Sequence, residues 1–152
     1  MNYTPQLKEQ ETRPALSIRN RVKYSDMAAF IGQSFGLLIA YLGELGEAPA
    51  GPGFAVYYNN DMDDLDIEIG FTTASSLKGR DSIQSTRIPG GKQVECFHVG
   101  PYADIEPAYK ASMAFIEKEG LTLQGPSYEF YLNDSRTVPE EKLETLVMFP
   151  VR

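Results

Sequence analysis

The sequence predicts an α+β fold in which a strand-helix-strand-strand unit occurs twice, mostly antiparallel, with two main helices covering one face of the sheet. Self-similarity is the first observation behind it. GPGFAVYYNN at 51–60 returns as GPSYEFYLND at 125–134, YSDM at 24–27 as YADI at 102–105, and DIEIGFTT at 66–73 lines up with ETLVMFPV at 144–151. The second is a pair of stretches with helical spacing, and the third is a set of short apolar runs closed by Gly, Pro or Asn, as strands are. The two halves cover about 1–74 and 83–152 of one domain, 1–152. They drift by about one helical turn inside the helix, which leaves its buried face in place.

PALSIRNRV reads as the leading strand of the first half and KQVECFHV as that of the second, with LKEQ near the start available to pair with them. Between Asp26 and Leu45, Met27, Phe30, Ile31, Leu38, Tyr41 and Leu42 recur three and four apart, with Ser25 as cap and Gly46 as stop. The second helix runs from about Asp104 to Glu119, is shorter, and tolerates Pro107 only because it falls in the first turn. ASSLKGRDS followed by IPGG joins the halves, and TVPEEKLE forms a short helical turn capped near Thr137.

The 152 residues suffice for one sizeable core, and 14 basic against 21 acidic residues leave a net charge of −7 without a basic cluster. A surface that tracks phosphates is not expected, so neither is direct nucleic-acid binding. A single cysteine, Cys96, allows no internal disulfide, and MNYTPQLKEQ lacks the apolar core of a secretory signal, which points to the cytoplasm. FGLLIAYLGELG, interrupted by Gly36, Gly43 and Glu44, is too short to span a bilayer.

Alternation along the strands assigns faces. Phe54, Val56 and Tyr58, with Tyr128, Phe130 and Leu132, are read as turned toward the helices, as are Ile67, Ile69 and Phe71 with Thr145, Val147 and Phe149. The helix-free face then collects Tyr57, Glu68, Gly70, Glu129, Tyr131, Leu146 and Met148. Aromatic and apolar walls with a few orienting polar groups suit a small-molecule cleft, and carboxylates beside tyrosine rings suit a lipophilic cation. Tyr and Glu on an open antiparallel face are more often simply its solvated side.

Cys96 and His98 share one face of a strand, as a nucleophile and base would, but no further Cys or His completes a zinc site. They are read as structural, with no metal and no cofactor. NDMDDLD at 60–66 is acidic but lacks the glycine and closing glutamate of a calcium loop, and reads as a solvated turn.

HVGPYADIEPAYKASMAFIEKEG and GPSYEFYLNDSRTVPEEKLETLVMFPV, preceded by SIRNRVKYSDM, GPGFAVYYNN and DLDIEIGF, resemble the two repeats of the GyrI-like domain, the effector-binding domain of multidrug-sensing regulators. The resemblance covers nearly the whole chain. It implies pseudo-twofold symmetry, a ligand groove between the halves, and a stand-alone binder of lipophilic, aromatic or cationic molecules. It also implies two alternatives, hydrolysis of cyclopropane-bearing genotoxic compounds and a protein partner, as in gyrase inhibition. Glu68 matches a glutamate that the family places in its groove, whereas the second repeat has Leu146 there. In the hydrolase reading Glu68 is the general base and Tyr57 or Tyr131 holds the oxyanion.

Overall fold

In chain order the elements are β1 (Gln6–Gln10), β2 (Arg13–Val22), α1 (Met27–Glu44), β3 (Gly53–Tyr57), β4 (Leu65–Thr72), β5 (Gln84–Ile88), β6 (Gly91–Val99), α2 (Glu106–Lys118), β7 (Ser127–Tyr131) and β8 (Glu144–Pro150). The computed structural model describes residues 2–152. Contacts divide them into a first unit, Thr12–Pro89, and a second unit, residues 2–11 with Gly90–Arg152.

In the first unit β4 lies between β3 and β2, and β5 pairs with the outer edge of β2, all antiparallel. In the second, β8 lies between β7 and β6, and β1 pairs with the outer edge of β6. The units thus share one topology, and LKEQ pairs with Gly91–Val94 at the start of the second leading strand, as expected. YSDM and YADI open on equivalent 3-10 turns, Tyr24–Asp26 and Tyr102–Asp104. Both helices end at a glycine in the left-handed region, Gly46 at φ 71° and Gly120 at φ 67°, where a side chain would be strained.

Three expectations change in detail. Ser25 does not cap α1: it sits inside the 3-10 turn, and Asp26 holds the cap position without a side-chain bond. The connection between halves carries a strand, β5, whose polar sequence QSTRI has no apolar alternation to reveal it. Near the end, the short helical turn is Glu140–Lys142, led by Pro139, while the Thr137 hydroxyl donates to the Asp134 carbonyl instead of capping it.

Each sheet packs one face on its own helix. In the first unit Phe35 of α1 meets Phe71 of β4 with ring centroids 5.0 Å apart, which identifies the face of Leu16, Ile18, Ile67, Ile69 and Phe71 as the helix side. In the second, Val94, Cys96, Val147 and Phe149 pack with Ala108 and Ile116 of α2. The faces of β4 and β8 are therefore as the alternation predicts.

Those of β3 and β7 are reversed. Val56 pairs directly with Glu68 and Phe54 with Gly70, so these four share the helix-free face, whereas Tyr57 pairs with Ile67 on the helix side. Likewise Phe130 pairs with Leu146 and Tyr128 with Met148, while Glu129 pairs with Val147 and Tyr131 with Thr145. Phe54, Ala55 and Val56 are all buried, so both faces of β3 are covered and hydrophobicity alone does not distinguish them.

Gly70 has a role other than admitting a ligand. A Cβ there would lie 2.5 Å from Cζ of Phe54 and 2.7 Å from the Leu16 carbonyl oxygen, so the Phe54 ring already fills its space. Gly70→Ala is expected to cost about 1–3 kcal/mol through overpacking. Urea unfolding measures this, and Phe54→Leu will relieve only part of it because the Leu16 carbonyl is backbone.

Candidate functional site

Among the described residues the strands carry three buried glutamates, Glu68 in the first unit and Glu95 and Glu129 in the second; Glu95 is paired with Lys8 at 3.2 Å, and Glu68 and Glu129 lie on opposite kinds of face. In the second unit Glu129 projects from β7 to the helix side and is 8% exposed. Tyr109, on the first turns of α2, donates its hydroxyl to one carboxylate oxygen, and Tyr131 donates to the other at 3.2 Å. Tyr109 is wedged edge-on against Phe149 with centroids 5.5 Å apart, and Tyr102 meets Tyr131 edge-on at 5.5 Å. Two phenols thus bond to one carboxylate, and Tyr102, 39% exposed and packed on Tyr131, carries the aromatic strip to the surface.

Among the described residues no Lys or Arg pairs with Glu129. Burial pushes its carboxyl above the ordinary range, and the phenol bonds from Tyr109 and Tyr131 and the nearby His98 oppose that rise without cancelling it. In strand register His98, Thr145 and Tyr131 form one row across β6, β8 and β7. The Thr145 hydroxyl in that row is fully buried and lacks a partner among the described residues.

His98 is fixed by two hydrogen bonds. Its Nε2 lies 3.0 Å from the Pro101 carbonyl, which only accepts, so Nε2 carries a proton, and Nδ1 lies 2.8 Å from the Tyr3 hydroxyl. Both nitrogens are engaged, and the ring cannot serve Cys96 as a base. Burial pushes the Cys96 thiol up, with a smaller opposing effect from Ser112. A chromogenic disulfide reagent is expected to titrate Cys96 only after denaturant is added. Rapid reaction of the native protein would contradict this.

In the first unit Glu68 projects from β4 to the helix-free face and is 4% exposed. It accepts hydrogen bonds from the Ser17 and Tyr58 hydroxyls and, at 3.2 Å, from the Gln84 side-chain amide. Arg19 lies over the Tyr58 ring at 3.6 Å and forks onto Asp66 at 2.9 and 2.8 Å. That bond holds the Asp66 carboxyl below its usual range. Two open hollows on this unit, of about 500 and 130 Å³, are lined by other residues.

The seven residues predicted to share a cleft therefore separate. Glu68 and Gly70 lie on the helix-free face of the first unit and Tyr57 on its helix side. Leu146 and Met148 lie on the helix-free face of the second unit, with Glu129 and Tyr131 on its helix side. The reversed reading of β3 and β7 accounts for the difference, since Tyr58 takes the place given to Tyr57. Tyr102 and Tyr109 were missed altogether. Tyr109 is one turn beyond Ile105 on the inward face of α2, a spacing that could have revealed it.

A family profile described as a GyrI-like small-molecule-binding domain matches residues 3–152. No curated protein matches the chain. Among solved structures, the EcmrR C-terminal domain is 24% identical with a TM-score of 0.82, covering 100% of this chain and 99% of its own. EcmrR in complex with DNA is 23% identical with a TM-score of 0.85, covering 99% of this chain, which spans 57% of that regulator's length. SAV2435 bound to tetraphenylphosphonium is 15% identical with a TM-score of 0.70, covering 100% of this chain and 94% of its own. At these identities the structures establish the fold. With two units of one topology and a profile spanning nearly all of its length, the chain belongs to the GyrI-like small-molecule-binding domain family.

Proposed function

We propose that the protein binds small molecules that carry a positive charge on an aromatic body, and that Glu129 receives the charge. One observation carries this reading: a buried carboxylate whose hydrogen bonds come from phenols, with a third tyrosine ring linking it to the surface. Electron-rich ring faces and a desolvated carboxylate attract a diffuse, weakly hydrated cation more than they attract water or a neutral molecule. The tetraphenylphosphonium held by SAV2435 is a ligand of this chemistry on the same fold.

The hydrolase alternative asks Glu68 to activate water. Glu68 already accepts three hydrogen bonds and has no exposed edge on which a water could be aligned. That arrangement favours binding over general-base catalysis. Calorimetric titration with tetraphenylphosphonium and with neutral triphenylphosphine oxide tests the proposal. The cation should bind at least about tenfold more tightly, as one partly desolvated charge pair supplies. Equal affinity for the two would refute it.

A further inference from the structure

The Thr145 hydroxyl, on the strand next to Glu129, is fully buried and has no hydrogen-bond partner among the described residues. Thr145 stands in register with Tyr131 on one side and His98 on the other, two residues before Val147, which packs on α2. Its side chain therefore projects to the helix side of the sheet, as Glu129 does. The polar groups paired with it are engaged elsewhere: the Tyr131 hydroxyl on Glu129, and the two His98 nitrogens on Pro101 and Tyr3. A buried hydroxyl left unbonded carries its full desolvation penalty, and valine would fill nearly the same space without it. Such a group calls for a reason beyond packing.

We infer that Thr145 is a specificity-determining residue whose hydroxyl accepts a hydrogen bond from the ligand, and that the preferred cation is an aromatic amidinium. This rests on Glu129 being the receptor of the charge. Glu129 pairs with Val147 and Thr145 with Tyr131, so the two are diagonal neighbours on adjacent strands, with Cα atoms about 7–8 Å apart. A hydroxyl can donate or accept, but a ligand group that accepts from Thr145 would bring its own lone pairs toward the Glu129 carboxylate. A donor suits both residues. Each Glu129 oxygen accepts one phenol and keeps the capacity for a second bond.

One planar head group with N–H bonds at both ends can therefore give one to Glu129 and the other to Thr145. An amidinium has this form. Its charge is spread over the plane, as in a guanidinium, and it is more weakly hydrated than a primary ammonium, so it gives up less on leaving water. Tetraphenylphosphonium has no N–H and meets only the charge.

Calorimetric titration with three small aromatic probes tests the inference: benzamidine, which is an amidinium at neutral pH; benzyltrimethylammonium, a cation without N–H; and neutral benzamide. The unaltered protein should bind benzamidine at least about tenfold more tightly than benzyltrimethylammonium, as one hydrogen bond to a charged group supplies. Thr145→Val should bring the two cations to equal affinity, whereas Thr145→Ser, which keeps the hydroxyl, should keep the preference. Equal binding of both cations by the unaltered protein overturns the inference, and so does a Thr145→Val variant that still prefers benzamidine. If both cations outbind benzamide in either case, the charge reading stands and only the role of Thr145 is lost. If neither outbinds benzamide, the charge reading itself fails, and this inference with it.

Discussion

Replacing Glu129 by Gln is expected to weaken tetraphenylphosphonium binding about tenfold to a hundredfold while leaving the fold intact. The amide is isosteric with the carboxyl, and the Tyr109 and Tyr131 hydroxyls can still bond to it, so the lost quantity is the charge. That range corresponds to about 1.4–2.8 kcal/mol, the size expected when one partly desolvated charge contact is lost. Glu68→Gln, on the other unit, should leave the affinity unchanged. If the two variants bind alike, Glu129 is not the receptor of the charge.

The pH dependence has a definite sign. Burial raises the Glu129 carboxyl above its unfolded value, about 4.3, so between these two values the native state binds more protons than the unfolded chain. Its contribution to stability is complete below the unfolded value, falls as pH rises toward the raised value, and is constant beyond it. Cation binding runs the other way, tightening with pH across the same window as the carboxyl ionises. Glu129→Gln should flatten both profiles. Urea unfolding and titrations at several pH values read both, and a binding profile that does not respond to this substitution would contradict the assignment.

How far the fold can be read from the sequence depended on whether an element had one covered face or two. The helices, their glycine stops and the faces of β4 and β8 followed from periodicity, because one side of each element is markedly more apolar than the other. On β3 the run Phe54, Ala55, Val56 is buried throughout, and the alternation that should reveal orientation disappears. The orientation is set instead by register, Val56 against Glu68, which is a non-local fact. One reversed strand in each unit was enough to place the predicted tyrosines and glutamates on different faces. Glu129 and Glu68 were both singled out by the sequence. Their partners Tyr109 and Ser17, more than 15 residues away in the chain, were not: helical spacing puts Tyr109 on the inward face of α2, but only packing joins either residue to its glutamate.

Glu68→Leu should destabilise the first unit by about 3 kcal/mol, even though leucine is the residue that the second unit carries at the matching position, Leu146. Ser17 and Tyr58 direct their hydroxyls at the Glu68 carboxyl, and Ser17 is wholly buried. With leucine in place they lose their acceptor, and each stranded polar group costs about 1–3 kcal/mol. The apolar side chain returns about 1.5 kcal/mol of that through its own burial. Gln84 is exposed and can turn to water, so it adds little. Glu68→Gln should cost far less, because hydroxyls can rotate to suit an amide. The triple variant Ser17→Ala, Tyr58→Phe, Glu68→Leu should recover much of the loss, since an apolar cluster without donors needs no acceptor. Urea midpoints for the single and triple variants decide the matter. If the triple variant is no more stable than Glu68→Leu alone, the cost comes from the shape of the site and not from its hydrogen bonds. Recovery would instead show that the cost is that of hydroxyl groups left without their acceptor. The difference between Glu68 and Leu146 would then be a feature of one unit's chemistry, imposed on a backbone that both units share.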